Sequence, residues 1–397
     1  MFQPLLDVFA QSTHLPQAPQ KKPLKLGLKW YGDGVEDFKS CCFYHVLSSH
    51  YDISFTDKNT CDLFLRGFLF HDKDLIECAK LRMMFMGENA RIDFNLYDFG
   101  MGFDDLSFHD RYLRVPLYYL SLWMFFKLAM GPNSPFQIDE SIQRAFYALS
   151  PDKSPDHPYS ENAHHGTITL NTSFSDNYPH LHALASDQSD PTKRAFASFV
   201  ASNPKAPVRN AFYQLLNAYR PIGGGGGVFN TIGGPVANKW EFLSQYKFNL
   251  CFENSRGYGY TTEKIIDAYF AHTIPIYWGN PAVAKDFNPK SFVNVHDFKD
   301  FDEAIDFIVY LDTHPNAYLE MLHTHPLNSI EGQPRFYQDL SFEKILGFLQ
   351  KALDCQEIYH EHSLYPAHDD PMFLYSGKQL CKFLAKKILK RLGKLSS

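Results

Sequence analysis

A short polar stretch of this chain carries side chains suited to binding an anionic sugar derivative. Residues 253–264 read ENSRGYGYTTEK, with positive charge on Arg256 and Lys264 and a carboxylate on Glu263. Arginine and lysine offset phosphate charge, a carboxylate accepts hydrogen bonds from hydroxyl groups, and tyrosine rings offer flat faces. We therefore expect this stretch to receive a diphosphate, sugar hydroxyls and a ring.

The flanking segments predict how this loop is held. The apolar run 248–252, FNLCF, is long enough for one buried strand, and 273–279, TIPIYWG, for a second. Between them, Thr261 and Thr262 precede a helical pattern with apolar residues at Ile265, Ile266 and Tyr269. Strand, loop, helix and strand make a βαβ unit, whose loop and helix N-terminus bind anions through free backbone N–H groups.

The first half of the chain shows the same alternation of strands and helices, and one strand precedes a carboxylate. Arg82–Met86 reads as a buried strand, and Gly87-Glu88-Asn89 follows it directly. Partial desolvation of Glu88 at this strand end would favour a raised pKa and basicity, although a turn cap is the plainer role. The other predicted elements here are strands at Leu24–Trp30, Tyr51–Phe55, Cys61–Leu65 and Ile92–Phe99 and helices at Asp37–Ser49, Leu75–Leu81 and Val115–Met130.

The second half restarts the alternation after a linker-like segment at 150–165. Phe196–Asn203 predicts a strand and Val208–Tyr219 a helix, with Arg209 in its first turn. The five consecutive glycines Gly223–Gly227 predict a mobile loop. Further elements are a strand at Ser291–Val295 and helices at Asp302–Leu311 and Asn316–Leu322. The whole pattern predicts an α/β protein with two doubly wound, Rossmann-like domains that face a cleft.

Composition narrows the class of protein. The formal net charge of −6 argues against a general nucleic-acid binder, which would show a basic excess. The seven cysteines are scattered and lack CxxC spacing, which favours reduced thiols in the cytoplasm over disulfides or a zinc site. The N-terminus shows no signal-peptide pattern, and no uninterrupted apolar run is long enough to span a bilayer.

The C-terminal segment has a different pattern. Residues 378–394, KQLCKFLAKKILKRLGK, carry seven Lys or Arg interleaved with apolar residues. This predicts a basic amphipathic helix of the type that lies on an anionic membrane surface, and the alternative is a helix that docks on its own protein. The pattern favours a cytoplasmic protein attached peripherally to the inner face of the inner membrane.

Three stretches together resemble a known family. Residues 248–281, FNLCFENSRGYGYTTEKIIDAYFAHTIPIYWGNP, look like the donor-binding signature of the α-1,3/4-fucosyltransferases, which are family 10 glycosyltransferases. The stretches ASFVASNPKAPVRNAF and VAKDFNPKSFVNVHDF are similar to the bacterial, Helicobacter-type members. The resemblance extends over roughly residues 23–359 and is densest over 193–337.

The resemblance implies a GT-B type fold and inverting transfer of L-fucose from GDP-fucose to the GlcNAc O3 of Galβ1-4GlcNAc. The product would be a Lewis x type structure on a lipopolysaccharide O-chain. Glu88 matches the segment that supplies the catalytic base, and Lys264 and Arg209 match the cations on the diphosphate. Asn254, Tyr260 and Glu263 match further donor-binding positions, with Arg256 as a second-rank phosphate contact. The purely structural alternative for Glu263 is a favourable interaction with the helix dipole, and for Arg209 it is an ordinary surface side chain.

We predict no essential metal, and stimulation by Mn²⁺ or Mg²⁺ stays open. Asp72-Lys73-Asp74 has a metal-binding DxD form, but it precedes a predicted helix, so N-capping is the preferred role. Between Tyr359 and the basic tail we find none of the seven-residue repeats that the bacterial relatives often carry there, which argues against dimerisation by that route. Two other functions stay open: a GT-B transferase for another nucleotide sugar, and an inactive carbohydrate-binding or membrane scaffold protein.

The predicted domains are an acceptor-binding domain with the catalytic base at 1–160, a GDP-fucose-binding domain at 161–350, and a tail with the amphipathic helix at 351–397.

Overall fold

The computed structural model describes residues 2–31, 34–67, 81–131, 133–149, 160–163, 166–169, 174–186, 188–330, 333–334 and 341–362. Several predictions lie outside these residues: the Asp72-Lys73-Asp74 motif, the helix at 75–80, most of the linker at 150–165, and the C-terminal helix at 378–394.

The first half is a six-stranded parallel sheet with helices around it. The strand order is β2-β1-β3-β4-β5-β6, and every pair of neighbours is parallel. The strands are β1 Lys22–Lys29, β2 Tyr51–Thr56, β3 Leu63–Gly67, β4 Leu81–Phe85, β5 Phe99–Gly102 and β6 Tyr112–Arg114. The helices are α1 Gln3–Ser12, α2 Val35–Ser40, α3 Cys42–Ser48, α4 Tyr118–Ala129 and α5 Glu140–Leu149.

The second half has a five-stranded parallel sheet with strand order β10-β9-β11-β12-β13. Two short antiparallel pairs, β7-β8 and β14-β15, lie apart from it. The strands are β7 Ser160–Ala163, β8 Gly166–Thr169, β9 Ala195–Phe199, β10 Ile222–Gly224, β11 Tyr246–Phe252, β12 Ile274–Trp278, β13 Val293–Asn294, β14 Ser329–Ile330 and β15 Gln333–Pro334. The helices are α6 Phe174–Asn177, α7 Pro179–Ala185, α8 Pro207–Tyr219, α9 Lys239–Leu243, α10 Glu263–Phe270, α11 Phe301–Thr313, α12 Pro315–His323 and α13 Phe342–Asp354.

This architecture confirms the predicted pair of α/β domains, and hydrophobic burial joins them. Helix α4 is apolar nearly all round, with Leu122, Phe125 and Phe126 fully buried, as expected of a helix enclosed by protein. It packs on α10 of the second half, where the Phe125 and Phe270 rings stack with centroids 4.0 Å apart. Residues of both halves therefore form one continuous core, while a second core lies within the second sheet.

The chain returns to the first sheet at its described C-terminal end. Helix α13 packs on α3, and its Phe348 ring contacts Phe99 of β5 with centroids 6.0 Å apart. The predicted domain ranges 1–160, 161–350 and 351–397 stay predictions. Residues 342–354, at the boundary of the last two ranges, lie against the first sheet.

Three local predictions were wrong, each for an identifiable reason. The helix predicted over 37–49 is two helices, because Cys41 adopts an extended backbone with ψ 151° between them. The strand predicted at 92–99 is a turn, in which Asp93 Oδ1 accepts from Asn95 N at 3.0 Å, and the strand begins only at Phe99.

The glycine run is the third error. Ile222–Gly224 is strand β10, and Gly225 N donates to Phe199 O at 2.9 Å. A Cβ on Gly224 would collide with the carbonyl oxygen of Phe229, and one on Gly226 with that of Ala201. These glycines permit close backbone packing and do not form a mobile loop.

Candidate active site

The candidate site lies where the carboxyl ends of both parallel sheets meet. In the second half, β11 ends at Phe252, and the loop 253–262 leads into α10. In the first half, β4 ends at Phe85, and Glu88 and Asn89 follow three and four residues later. Open α/β sheets bind ligands at this edge, because loops from neighbouring strands converge there.

The loop 253–262 is clamped between the two halves. Asn89 Nδ2 donates to Ser255 Oγ at 2.8 Å and to the Arg256 carbonyl at 3.3 Å. Gly259 has φ +78°, and a Cβ there would collide with the carbonyl oxygen of Phe103. A glycine is therefore required at this point, because both the left-handed backbone and the close approach exclude a side chain.

Further hydrogen bonds hold the helix-proximal end of the loop. Asn280 accepts from Gly259 N at 2.9 Å and donates to Thr261 Oγ1 at 3.1 Å. The Thr261 carbonyl accepts from Tyr118 N, in the first half, at 3.2 Å. Beside Asn280, Gly279 N donates to His296 Nε2 at 3.0 Å. The loop is thus fixed before any ligand arrives.

Lys264 lies at the centre of a group of charged side chains. Its ammonium donates to Glu253 at 2.9 Å, to Thr262 Oγ1 at 2.8 Å and to Glu263 at 3.2 Å. Although burial alone would lower the pKa of Lys264, the charges of Glu253 and Glu263 raise it well above its usual value. The ammonium is therefore permanently charged, as a partner for phosphate must be.

Arg209 lies in the first turn of α8, and its side chain is buried rather than on the surface. It donates to Asn254 Oδ1 at 2.8 Å and to the carbonyl oxygen of Asn203, and its guanidinium lies 5.6 Å from the Phe199 ring centroid. Burial lowers its pKa and the charge of Glu253 raises it. Two predicted donor-binding residues, Arg209 and Asn254, are thus brought into direct contact.

Glu88 follows β4 in the first half, where the residue as a whole is exposed and its carboxyl group is partly desolvated. Desolvation raises the pKa of its carboxyl group, the charge of Lys264 lowers it, and that of Glu263 raises it. The net direction is upward, as expected for a general base at a strand end. The structure therefore brings Glu88 into electrostatic contact with Lys264 and Glu263 of the other half.

Tyr260 and Arg256 occupy different environments. Tyr260 is buried, and its ring meets Phe103 edge-on with centroids 5.3 Å apart. Burial raises the pKa of its hydroxyl group, with smaller effects of Glu253, Lys264 and Glu88, so the hydroxyl stays neutral. Arg256 is exposed, and its charge, after burial, contributes to lowering the pKa of His296. The predicted roles of both residues stay predictions.

Sequence reasoning missed Glu253, Asn280 and His296. Glu253 was treated as part of a polar loop, yet it is fully buried and paired with Lys264. The available signal was its place directly after a buried strand, which is the signal that pointed to Glu88. Asn280 and His296 act on the loop from other segments, and nothing in their own neighbourhoods indicated that.

The described residues hold no group of three or more His, Cys, Asp or Glu side chains arranged to bind a metal ion. The prediction that no metal is essential stays a prediction.

Two parallel-sheet domains, with cations in the first helical turns of one and a carboxylate after a strand of the other, define a GT-B type glycosyltransferase. Comparison with known proteins gives the family. Residues 190–340 match the model described as glycosyltransferase family 10 (fucosyltransferase) C-term, and residues 30–121 match the alpha-(1,3)-fucosyltransferase FucT N-terminal domain.

Individual relatives agree with this match. The chain is 49% identical over 369 residues to an alpha-(1,3)-fucosyltransferase FucT of Helicobacter pylori. This alignment covers 91% of this chain and 73% of the relative. Crystal structures of an alpha1,3-fucosyltransferase with GDP-fucose and with GDP each superpose with a TM-score of 0.79, at 50% and 49% identity, and cover 91% of this chain and 99% of theirs. The chain belongs to the family 10 glycosyltransferases, the fucosyltransferases, and is an enzyme.

Proposed function

We propose that this protein is an inverting α-1,3-fucosyltransferase that moves L-fucose from GDP-fucose to O3 of GlcNAc in Galβ1-4GlcNAc acceptors. The observation that carries the proposal is the division of the site. The largely enclosed Lys264 and the buried Arg209 lie in one half, and Glu88, whose raised pKa is partly offset by the Lys264 charge, lies in the other. A half-identical relative has a crystal structure with GDP-fucose, which supports the choice of donor.

The two cations and the carboxylate act on different groups in the reaction. Lys264 and Arg209 bind the diphosphate and stabilise the negative charge that develops as GDP leaves. Glu88 takes the proton from the acceptor hydroxyl while its oxygen attacks the anomeric carbon of fucose. The bond from that carbon to the diphosphate oxygen breaks on the opposite face, and its electron pair leaves with GDP. The single displacement inverts the anomeric configuration.

Donor selectivity tests the proposal most directly. In titration calorimetry we expect GDP-fucose to bind at least tenfold more tightly than GDP-mannose or UDP-galactose. A preference for either of the latter would favour a GT-B transferase for another nucleotide sugar. Good GDP binding with no transfer to any acceptor would favour an inactive binding protein.

The acceptor is proposed from the family resemblance. The Lewis x type product on a lipopolysaccharide O-chain needs a terminal Galβ1-4GlcNAc unit with a free O3. A panel of Galβ1-4GlcNAc and Galβ1-3GlcNAc oligosaccharides, with the linkage of each product read by NMR, tests this choice. Transfer only to O4 of Galβ1-3GlcNAc would overturn the α-1,3 assignment.

We propose a cytoplasmic protein attached to the inner membrane through residues 378–394, whose seven basic side chains suit an anionic lipid surface. Within the described part of the chain, every helix is too short or too polar to cross a bilayer. Deletion of 378–397 should move the protein from the membrane fraction to the soluble fraction while turnover on short acceptors is kept. An unchanged partition would overturn the anchor.

A further inference from the structure

Glu253 is a fully buried carboxylate at the donor loop that the proposed reaction does not use. It is the first residue after β11, and none of its surface is exposed. It accepts hydrogen bonds from Thr262 N at 2.8 Å, from Thr262 Oγ1 at 2.7 Å and from Lys264 Nζ at 2.9 Å. A Cβ on Gly279 would collide with its side chain, so bare backbone makes room for it. The carboxylate is therefore held from several sides.

The Lys264 ammonium has no N–H left for a ligand. An ammonium group has three donors, and these bond to Glu253, Thr262 and Glu263 at 2.9, 2.8 and 3.2 Å. To reach a diphosphate, Lys264 must exchange one of them. The contact with Glu263 is the longest, and the Glu263 side chain is 29% exposed whereas that of Glu253 is 0% exposed. Glu263 is thus the partner that water and ligand can replace.

We propose that Glu253 is a positioning residue that fixes Lys264 for the donor diphosphate, and that donor binding exchanges the Lys264–Glu263 contact for a Lys264–phosphate contact. The inference rests on the proposed function, because it takes a nucleoside diphosphate as the ligand of Lys264. Glu253 itself is too deeply buried to touch the donor.

The surroundings of Glu253 favour this role over simple packing. Burial raises the pKa of Glu253, and the charge of Glu263 adds to this rise; the Lys264 charge and the Thr262 hydrogen bonds favour the ionised form and offset part of it. Its charge also acts on Arg209, the second cation of the site. A fixed carboxylate hydrogen-bonded to Lys264 orients that cation before the ligand arrives, so little reorganisation is needed during transfer.

A double-mutant cycle tests whether Glu253 acts through Lys264. We would measure kcat with GDP-fucose and Kd for GDP in the full-length wild type, in Glu253→Gln, in Lys264→Ala, and in the double variant. Each single change should lower kcat by roughly 10²–10³-fold, the loss typical of one electrostatic contact in the transition state. The double variant should be no more than about threefold worse than Lys264→Ala, since residues that act as a unit are non-additive. Losses that multiply, or a near-normal Glu253→Gln, would overturn the proposal.

Asp267 gives a matched control for loss of a buried ion pair. It lies on α10, is 1% exposed, and contacts Lys239 Nζ at 2.5 Å and Trp240 Nε1 at 2.9 Å. Asp267→Asn should lower the melting temperature about as much as Glu253→Gln but leave kcat within about threefold of wild type. An equal loss of kcat in both variants would indicate general destabilisation and overturn the positioning role.

Glu253→Asp keeps the test decisive if Glu253→Gln does not fold. This variant retains the charge on a side chain shorter by one methylene group, so its kcat should lie below that of wild type, and it then replaces Glu253→Gln in the cycle. The two proposals fail differently. Wild type that binds GDP but transfers no fucose overturns only the transferase assignment, because the cycle can still be read in GDP affinity. Wild type that transfers fucose, with GDP affinity and kcat insensitive to Glu253, overturns only the positioning role.

Discussion

The Glu88 carboxyl group faces opposing influences that set its basicity. Desolvation raises its pKa, and the Lys264 charge across the site only partly offsets this. A base with a raised pKa holds a transferred proton more firmly than a carboxylate with an ordinary pKa would. The position of Glu88, beside the residue Asn89 that bonds to the loop of the other half, therefore matters as much as its residue type.

The first prediction concerns the pH dependence of turnover. Because Glu88 must be ionised to accept a proton, kcat/KM should fall as the pH falls through its raised pKa, at a higher pH than for an ordinary carboxyl group. Glu88→Gln should lower kcat by roughly 10²–10⁴-fold and remove this acid limb. Initial rates over a pH series check both effects. Near-normal turnover of Glu88→Gln would exclude Glu88 as the base.

The second prediction follows from competition for Lys264. If the Glu263 carboxylate must release Lys264 before phosphate binds, Glu263→Gln should bind GDP about fivefold more tightly, as a partly exposed ion pair is worth up to about 1 kcal/mol. Turnover with GDP-fucose should still fall, because the predicted donor-binding role of Glu263 includes a hydrogen bond from a donor hydroxyl group that glutamine would accept more weakly. Titration calorimetry with GDP measures the affinity, and Asp302→Asn, an exposed carboxylate on α11, is the charge-matched control. Weaker GDP binding would instead place Glu263 on the ribose.

At the scale of single residues, the sequence indicated candidates but not their burial. Glu88 and Lys264 were proposed from their places at a strand end and a helix start together with the family resemblance, and their roles stay predictions. Glu253 was missed because its burial depends on Gly279 and Thr262, which close over it only in the folded chain. Arg209 shows the same limit, since a position that looks exposed in a helical pattern is 2% exposed.

At the scale of elements, strands were predicted reliably where one apolar run fills one strand, as in β4 and β11. The errors arose where distant segments decide the backbone. The glycine run looks flexible by composition, but the carbonyls of Phe229 and Ala201 approach so closely that only glycine fits. The turn at Asp93 shows that a single side-chain hydrogen bond to the backbone can override an alternating pattern.

The third prediction concerns the segment 359–362, which docks on the first half through a buried pair. Asp98 is 0% exposed and accepts from Arg82 N at 2.8 Å, from His360 N at 2.9 Å and from the His360 ring. Asp98→Ala leaves these donors unpaired, so the free energy of unfolding should fall by about 3–5 kcal/mol. Urea denaturation measures it. As a control, Lys351→Ala breaks the exposed pair between Lys351 of α13 and Asp110 of the first half, and it should lower the free energy of unfolding by at most about 1 kcal/mol.

The pH dependence of this docking follows from the Asp98 pKa. Burial would raise that pKa, but the hydrogen bonds from His360 and Arg82 outweigh burial and lower it. The contribution of Asp98 to stability is therefore present above the pKa of an unfolded aspartate and is lost as the pH falls through the lowered value. Equal loss of stability at acid pH in wild type and Asp98→Ala would contradict this account.

At the scale of the whole molecule, the two sheets are coupled more tightly than their sequence separation suggests. Helix α4 follows the last strand of the first sheet, yet it packs on α10. Arg114 of β6 also bonds to Asp286 of the second half at 2.5 Å. The sequence predicted two α/β halves, but it could not predict this shared core, nor the return of α13 to the first sheet. Both depend on which apolar faces remain uncovered after each sheet has formed.

The fourth prediction concerns the cooperativity of unfolding. Because one core includes residues of both halves, the wild type should unfold in a single calorimetric transition. Phe125→Ala removes the ring stacked on Phe270 and should lower the free energy of unfolding by about 3–5 kcal/mol. The single transition as a whole should move to a lower melting temperature. A second transition that stays at the wild-type temperature would show that the second sheet, with its own core around Phe212, unfolds independently.

The packing of α4 on α10 also determines where this chain can be joined to that of a relative to make a chimeric enzyme. A chimera joined in the linker near residue 150 would bring a foreign α4 against the native α10 and disturb the stacked rings at Phe125 and Phe270. A junction between β6 and α4, at Val115–Leu117, exchanges all six strands of the first sheet but takes both α4 and α10 from the same parent. The contacts that cross this joint still have to be matched between the parents, among them Arg114–Asp286, Asp105–Lys285 and the Phe2 ring against Phe125 and Phe270.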